Sequence, residues 1–305
     1  MSFFRTGQVL AAAVFLSTAG TAQATSIDAG TILSTFGTIS LGDYTLSSHT
    51  AAPVYVGGNF SGSHAVQAPG NGEGTVAPGI SGTVVVAGDI SGTPTLNNST
   101  VLAGTISGNI NGGNNTVTTG ASVPAAAVRT AMEDLSRDLA AMTDTGASYD
   151  FSDQNQLSLT SGAGLNGFAV LNLGSGVFLQ NGTLKSFSNT AGTFIVNIGG
   201  SNITIGANFN QDDSNVIFNF YEATQITVNS TFGFGILAPW AELNLNGGGT
   251  DTFVVGSTIN QRTEVRGTFT GDLPETPAVP LPAAGLLLIG GLGAMAAVSR
   301  RKKAA

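Results

Sequence analysis

The chain has 305 residues, 43 of them glycine and none cysteine, with a formal net charge of −8. The lack of cysteine excludes a disulfide scaffold and thiolate metal sites. Half of the ten cations lie in the two terminal segments, so the body sets five against eighteen acids. That formal −13 repels phosphate backbones and argues against nucleic-acid binding.

The N-terminus, "MSFFRTGQVLAAAVFLSTAGTAQATS", has a cation at Arg5, an apolar stretch from Val9 to Leu16, and small residues at Ala22 and Ala24. It reads as a secretory signal peptide, residues 1–24, cut after Ala24. The apolar stretch is far short of the ~20 residues that span a bilayer. Residues 25–43 read as a lead-in.

From Tyr44 to Val117 one phrase recurs: a few β-formers, Gly-Asn or Gly-Asp, an apolar residue, then Ser-Gly. "VYVGGNFSG", "APGISGTVVVAGDISG" and "VLAGTISGNINGG" carry it. Gly and Asn tolerate positive φ and Ser bonds its own backbone, so these pairs mark turns between short strands. Such spacing fits a sandwich, a barrel or the rungs of a solenoid.

Residues 124–142, "PAAAVRTAMEDLSRDLAAM", form the one helix expected in the body. Pro124 suits a first helical position, Val128, Met132, Leu135, Leu139 and Met142 make one apolar stripe, Glu133 can pair with Arg137, and Gly146 ends the element. Its stripe must lie on a β surface. Strands resume from Asp150 to Gly271. Many alternate, as Ala241, Leu243 and Leu245 do against Glu242, Asn244 and Asn246, so one face is buried and the other carries amides and carboxylates.

Chemistry-bearing patterns are sparse. His49 and His64 stand in turn-rich sequence without a nucleophile elbow, and no pair of carboxylates is singled out, so no catalytic residue is assigned. Two histidines without cysteine disfavour zinc. Calcium is the one cofactor left open: Asp212 and Asp213 in "NFNQDDSN" offer oxygens, and "GGGTDTFVV" approaches a calcium repeat but lacks its second glycine. Thr93 and Thr95, Thr116 and Thr118, and Thr268 and Thr270 form Thr-x-Thr pairs of the kind an ice-binding array uses, at no constant interval. Trp240, at a corner after Pro239, could stack on a sugar or seal the end of a core, and the sealing role is favoured.

The segment Asn215 to Gly248 resembles the choice-of-anchor A domain. The matching residues are Asn219, Phe220, Ala223 and Thr224, then Gly235, Leu237, Ala238, Pro239 and Ala241, then Gly247 and Gly248. "VYVGGNF", the Leu135-Ser136 pair and "TFIVNIGG" fit the upstream order, and the likeness covers residues 44–271. One departure stands near the end, where "RTEVRGTFTG" keeps Glu264 and the Phe269 to Gly271 step but has Arg266 in place of the family's His. The resemblance implies an ice-binding-protein-like fold: mainly β, a β-helix (solenoid) with one long α-helix packed alongside, a β-sandwich being the alternative. It also implies a non-enzymatic, adhesin-like surface or matrix module. The ligand, a polysaccharide or another surface, is unknown, and a glycan-active enzyme or an ice-binding protein are the alternatives.

After a linker, residues 272–278, the chain ends "VPLPAAGLLLIGGLGAMAAVSRRKKAA". Residues 281–298 would span about 27 Å as a helix, close to a ~30 Å hydrocarbon core. Val279-Pro280-Leu281-Pro282-Ala283, the apolar run and the basic Arg300, Arg301, Lys302 and Lys303 resemble the VPLPA variety of PEP-CTERM sorting signals. The resemblance implies residues 279–305 are held transiently at the inner membrane and removed by an exosortase-type peptidase. The body would then reach the cell surface or extracellular matrix of a Gram-negative bacterium.

Overall fold

Runs such as Val54-Tyr55-Val56, Val84-Val85-Val86 and Phe194 to Ile198 leave no position for water, as expected of strands covered on both faces. In the computed structural model, which describes residues 27–66, 75–77, 80–174 and 181–274, these runs lie side by side in a 14-stranded sheet. Along the stack come Thr116–Thr119, then the first halves of Thr100–Ile106 and Val84–Ile90, then Val54–Val56 and Thr38–Ser40. Next follow the first halves of Val254–Gln261 and Gly235–Leu245, then Val216–Asn219, Thr193–Ile198 and Phe168–Leu173, each parallel to its neighbour. The chain therefore starts mid-stack and winds outward to Thr119. It resumes at the far end and winds back until its last coil lies on its first.

Thr38 pairs with Val54 and Val84 with Val101, so a coil takes 16 or 17 residues here. Each coil has a second side, where Asn202–Ile205, Gln225–Val228, Glu242–Leu245, Thr258–Gln261, Tyr44–Leu46 and Phe60–Gly62 follow in parallel register. A third, shorter side holds Gly249–Thr250 against Glu264–Val265 and Ala65–Val66 against Thr95–Leu96. The repeated Ser-Gly explains one corner. A Cβ on Gly92 would stand 2.0 Å from the carbonyl oxygen of Gly62, and one on Gly108 2.0 Å from that of Gly92, so coils can stack here only with hydrogen at that position. The architecture is mainly β and solenoid-like. The sandwich alternative needs antiparallel sheets, and the long stacks are parallel.

Two cores result. Inside the coils one core runs the length of the stack, from Val101, Val84, Val54, Val56 and Phe60 in one half to the rings of Phe209, Phe218, Phe232 and Phe234 in the other. Outside the first side, a second core of Ile39, Tyr55, Val85, Ile195, Ile217, Leu237 and Val255 is roofed by two helices. The long helix, Ala125–Ala140, buries Val128, Met132, Leu135 and Leu139, each worth roughly 1.5–3 kcal/mol when fully covered. It is shorter than expected from sequence. Pro124 occupies the cap position before the helix instead of the first helical one, Met142 lies half-buried past its end, and Gly146 comes later still with φ +85°. Glu133 does meet Arg137, at 3.3 Å.

The second helix, Ala29–Thr35, falls in the segment read as a lead-in. Its cap explains it: the Asp28 carboxylate accepts from the Thr31 amide and hydroxyl, each at 2.6 Å. The lead-in also supplies the central strand Thr38–Ser40. The seam between first and last coils carries polar ties. Gln261, buried, accepts from the Tyr44 hydroxyl at 2.8 Å, and the Thr50 hydroxyl donates to the Val265 carbonyl at 3.0 Å. Burial raises the Tyr44 phenol far above its ordinary pKa, so it stays a donor.

Candidate binding face

The first side is roofed, but the second presents its outer row of side chains to solvent. Strands there alternate strictly: Ile203, Ile226, Leu243, Ile259, Tyr44 and Phe60 point inward and are buried. Between them stand the outward residues. Register places Asn202 beside Gln225, Gln225 beside Glu242, and Glu242 beside Thr258. Two residues on, Thr204, Thr227, Asn244, Asn260, Thr45 and Ser61 form a second row in the same manner. Neighbours along a row are spaced by about 4.8 Å, and the two rows lie roughly 6.6 Å apart along each strand.

The groups bond to one another and remain open to water. The Asn260 amide donates to Asn244 Oδ1 at 3.0 Å and to Glu242 Oε1 at 3.2 Å. Asp43 Oδ1 accepts from the Asn59 backbone N–H at 2.8 Å, and Asn59 Oδ1 accepts from the Asp89 N–H at 3.0 Å. Asp89 accepts from the Thr105 hydroxyl at 2.8 Å and from the backbone N–H and hydroxyl of Ser107. The Ser107 and Thr105 hydroxyls stabilise its charged form and lower its pKa below the ordinary value. Chemically this is a ladder of amides, hydroxyls and a few hydrogen-bonded carboxylates, suited to many weak contacts.

The residues carrying the resemblance lie elsewhere. Asn219 faces the long helix: its Oδ1 accepts from the Ser136 hydroxyl, and its Nδ2 donates to the Ser136 carbonyl and to Asn197 Oδ1, each at 2.9 Å. Asn197 passes the pattern on, donating to the Leu139 carbonyl at 2.7 Å and to Asn172 Oδ1 at 2.8 Å. Asn172 then reaches the Met142 carbonyl at 3.0 Å. Phe220, Ala223, Ala238 and Ala241 line the interior and Leu237 the second core. Thr224 holds a turn by donating from its N–H to the Ser201 carbonyl, at 2.7 Å. A Cβ on Gly235 would meet the Phe253 ring at 2.2 Å. Pro239 is buried at the corner, and Gly247 and Gly248 make the turn that follows, Gly248 with φ +72°.

Trp240 is half-buried, and the Arg137 guanidinium, 5.1 Å from its ring centroid, ties it to the long helix. Arg266, in the family's His position, bonds Asp251 and, at 2.8 Å, Glu264, which also pairs with His49 at 3.0 Å. The hydrogen bond to Asp251, and behind it the charge of Asp251 and the bond to Glu264, raise the Arg266 pKa further, and the cluster pins the corner where first and last coils meet. Asp213 accepts from the Asn215 N–H at 2.9 Å and from Asn189 at 3.0 Å, and so serves a loop. Among the described residues no three of His, Cys, Asp or Glu gather as a metal site. The Thr-x-Thr pairs do not form one array, since Thr95 is on the third side and Thr116 and Thr118 on the end strand of the first. Ala22, Ala24 and the tail from Val279 to Lys303 lie outside the described residues, within which no helix is long and apolar enough to cross a membrane.

A family model described as "Putative Ice-binding-like adhesive domain" matches residues 29–267. Among solved structures, an ice-binding protein from the Antarctic ascomycete Antarctomyces psychrotrophicus is similar at 13% identity and a TM-score of 0.31, over 81% of this chain and 100% of that one. No curated protein matches.

Proposed function

Because this chain belongs to the ice-binding-like adhesive domain family, we propose that it is an exported, non-enzymatic adhesion module that works through the unroofed second side of its coils. The observation that carries this reading is the contrast within each coil: the first side is buried under helices, while the second keeps two in-register rows of Asn, Thr, Ser and Gln in water. Rigid rungs lose little conformational entropy on binding, and many weak hydrogen bonds add through multiplicity. Asp43, Asp89 and Glu242, on a body of formal charge −13, disfavour acidic polymers. A neutral polysaccharide is the ligand class that fits best.

The terminal segments complete the proposal. Residues 1–24 direct export, and residues 279–305 act as a sorting signal of the PEP-CTERM kind. That signal is held at the inner membrane through residues 281–298 and cut by an exosortase-type peptidase, leaving the body at the cell surface or in a biofilm matrix. Solid β-helix geometry with the long helix alongside is the form we assign to the solenoid-like stack. Ice is the second reading, favoured by the family description and by the Thr and Asn rows at strand spacing.

Pull-down of the purified protein on insoluble neutral polysaccharide, collagen and ice tests both. Retention on polysaccharide that is lost on Thr45→Lys with Thr227→Lys, at unchanged melting temperature, supports the first reading. Retention on ice alone transfers the site to the second reading. Binding indifferent to those substitutions, or turnover of the polysaccharide, overturns the assignment.

A further inference from the structure

The two ends of the stack are built differently. At one end the third side closes with an antiparallel strand, Ser148–Asp150 against Leu157–Thr160, with the exposed Asp150 in it and Asp153 in the loop that follows. A reversed strand covering the edge and charged side chains at it are ways a protein stops further pairing. At the other end stands Thr116–Thr119, which among the described residues pairs only with Thr100–Ile106 and has all four residues exposed. Val117 is 44% exposed although its register partners Val101 and Val84 are fully buried. It continues the inner column of the coils, with no next coil among the described residues to cover it.

That end also lacks charge. From Ile90 to Val128 the sequence holds no Asp, Glu, Lys, Arg or His, on a body that is otherwise strongly acidic. Two copies approaching by the acidic parts of the body meet like charge, whereas at this end they do not. The edge carries no lysine, proline or bulge of the kind that blocks strand addition. An identical edge offers the same pattern of free N–H and C=O groups, and two such edges complement each other antiparallel about a two-fold axis.

We infer that Thr116–Thr119 pairs with the same strand of a second copy, joining two stacks end to end. Keeping the inner column continuous requires the axis to pass through Val117 or Thr118, so that inward residues oppose inward residues. A four-residue seam falls below the ~1,200 Å² typical of a stable complex, so the dimer is weak in dilute solution and favoured by crowding. The inference does not depend on what the second side binds.

The chain has no cysteine, which makes a cross-linking test direct. Val117→Cys and Thr118→Cys are made singly in the full chain, with Thr45→Cys on the lateral face as control, and oxidised under mild conditions. One of the two end variants is expected to give a disulfide-linked species of twice the chain mass on a non-reducing gel. That species should be absent from the control and lost when Thr119→Lys is added. Equal cross-linking at all three positions, no dimer at either end position, or a dimer indifferent to Thr119→Lys overturns the inference. Circular dichroism confirms that each variant is folded.

Discussion

The first and second sides of the coils use the same side chain in opposite ways. On the roofed side Asn172, Asn197 and Asn219 form a ladder whose amides serve the Met142, Leu139 and Ser136 carbonyls. These carbonyls lie in and just past the last turns of the helix, where the Leu139 carbonyl also accepts from the Met142 N–H at 3.2 Å, so the sheet amides anchor that end of the helix to the coils. On the open side Asn244 and Asn260 form a similar ladder, but its other partner is the Glu242 carboxylate and then water. A rung of asparagine is thus neither structural nor functional by nature. What covers it decides, and that is set by its neighbours along the strand: apolar on both faces in "TFIVNI" and "VIFN", alternating in "AELNLN".

The sharpest way to break this contrast is Asn219→Ala. It strands the Ser136 hydroxyl and Asn197 Oδ1 in a buried site, at about 1–3 kcal/mol per unsatisfied group, and removes a second bond to the Ser136 carbonyl. A total loss of about 3–5 kcal/mol is expected, or a fall of roughly 6–20 °C in melting temperature at ~2–4 °C per kcal/mol, read by thermal circular dichroism. Gly235→Ala ranks next. Its methyl would have to displace the Phe253 ring, which itself packs edge-on to Phe269 at 5.8 Å. Overpacking of this kind costs about 1–3 kcal/mol, and denaturant unfolding should show the midpoint fall with an unchanged slope.

Those two positions also show what could be read before the fold was known. The Asn219 and Gly235 motifs stood out from the sequence, and so did the amphipathic stripe from Val128 to Leu139. Their meaning depended on the partner across space, Ser136 in one case and Phe253 in the other, and nothing in local spacing encodes a contact across 83 residues. The winding order was equally hidden. That Thr38 lies between Val54 and Val254 follows from closure of the stack, a long-range fact, whereas its strand character was masked by the short segment it occupies. The short helix could have been found from the Asp28 cap. The face rows were half legible: alternation announced a wet side, but which strands lie next to each other required the register.

On the open side the same kind of change should be nearly silent for folding. Asn260→Ala removes two exposed-side hydrogen bonds, and a shift within about 0.5 kcal/mol is expected. Its effect should instead appear in retention on polysaccharide. If Asn260→Ala destabilised the protein as much as Asn219→Ala, the two ladders would be equivalent and the distinction between roofed and open sides would fail.

The smallest expected effect is a pH dependence at Asp89. Hydrogen bonds from Ser107 and Thr105 lower its folded pKa from the ordinary 3.8, so the folded state holds the charged form more tightly than the unfolded chain does. Such a group adds stability that is complete above the unfolded value and disappears as pH falls through the lower folded one. The melting-temperature difference between the wild type and Asp89→Asn should therefore be constant from about pH 5 upward and shrink below 3.8. Because the carboxylate is in water, the difference will be small, and 1 M salt should change it little if hydrogen bonding and not long-range charge is its source. A difference that grew on acidification would reverse the sign and remove Asp89 from the rungs that the open face holds in place.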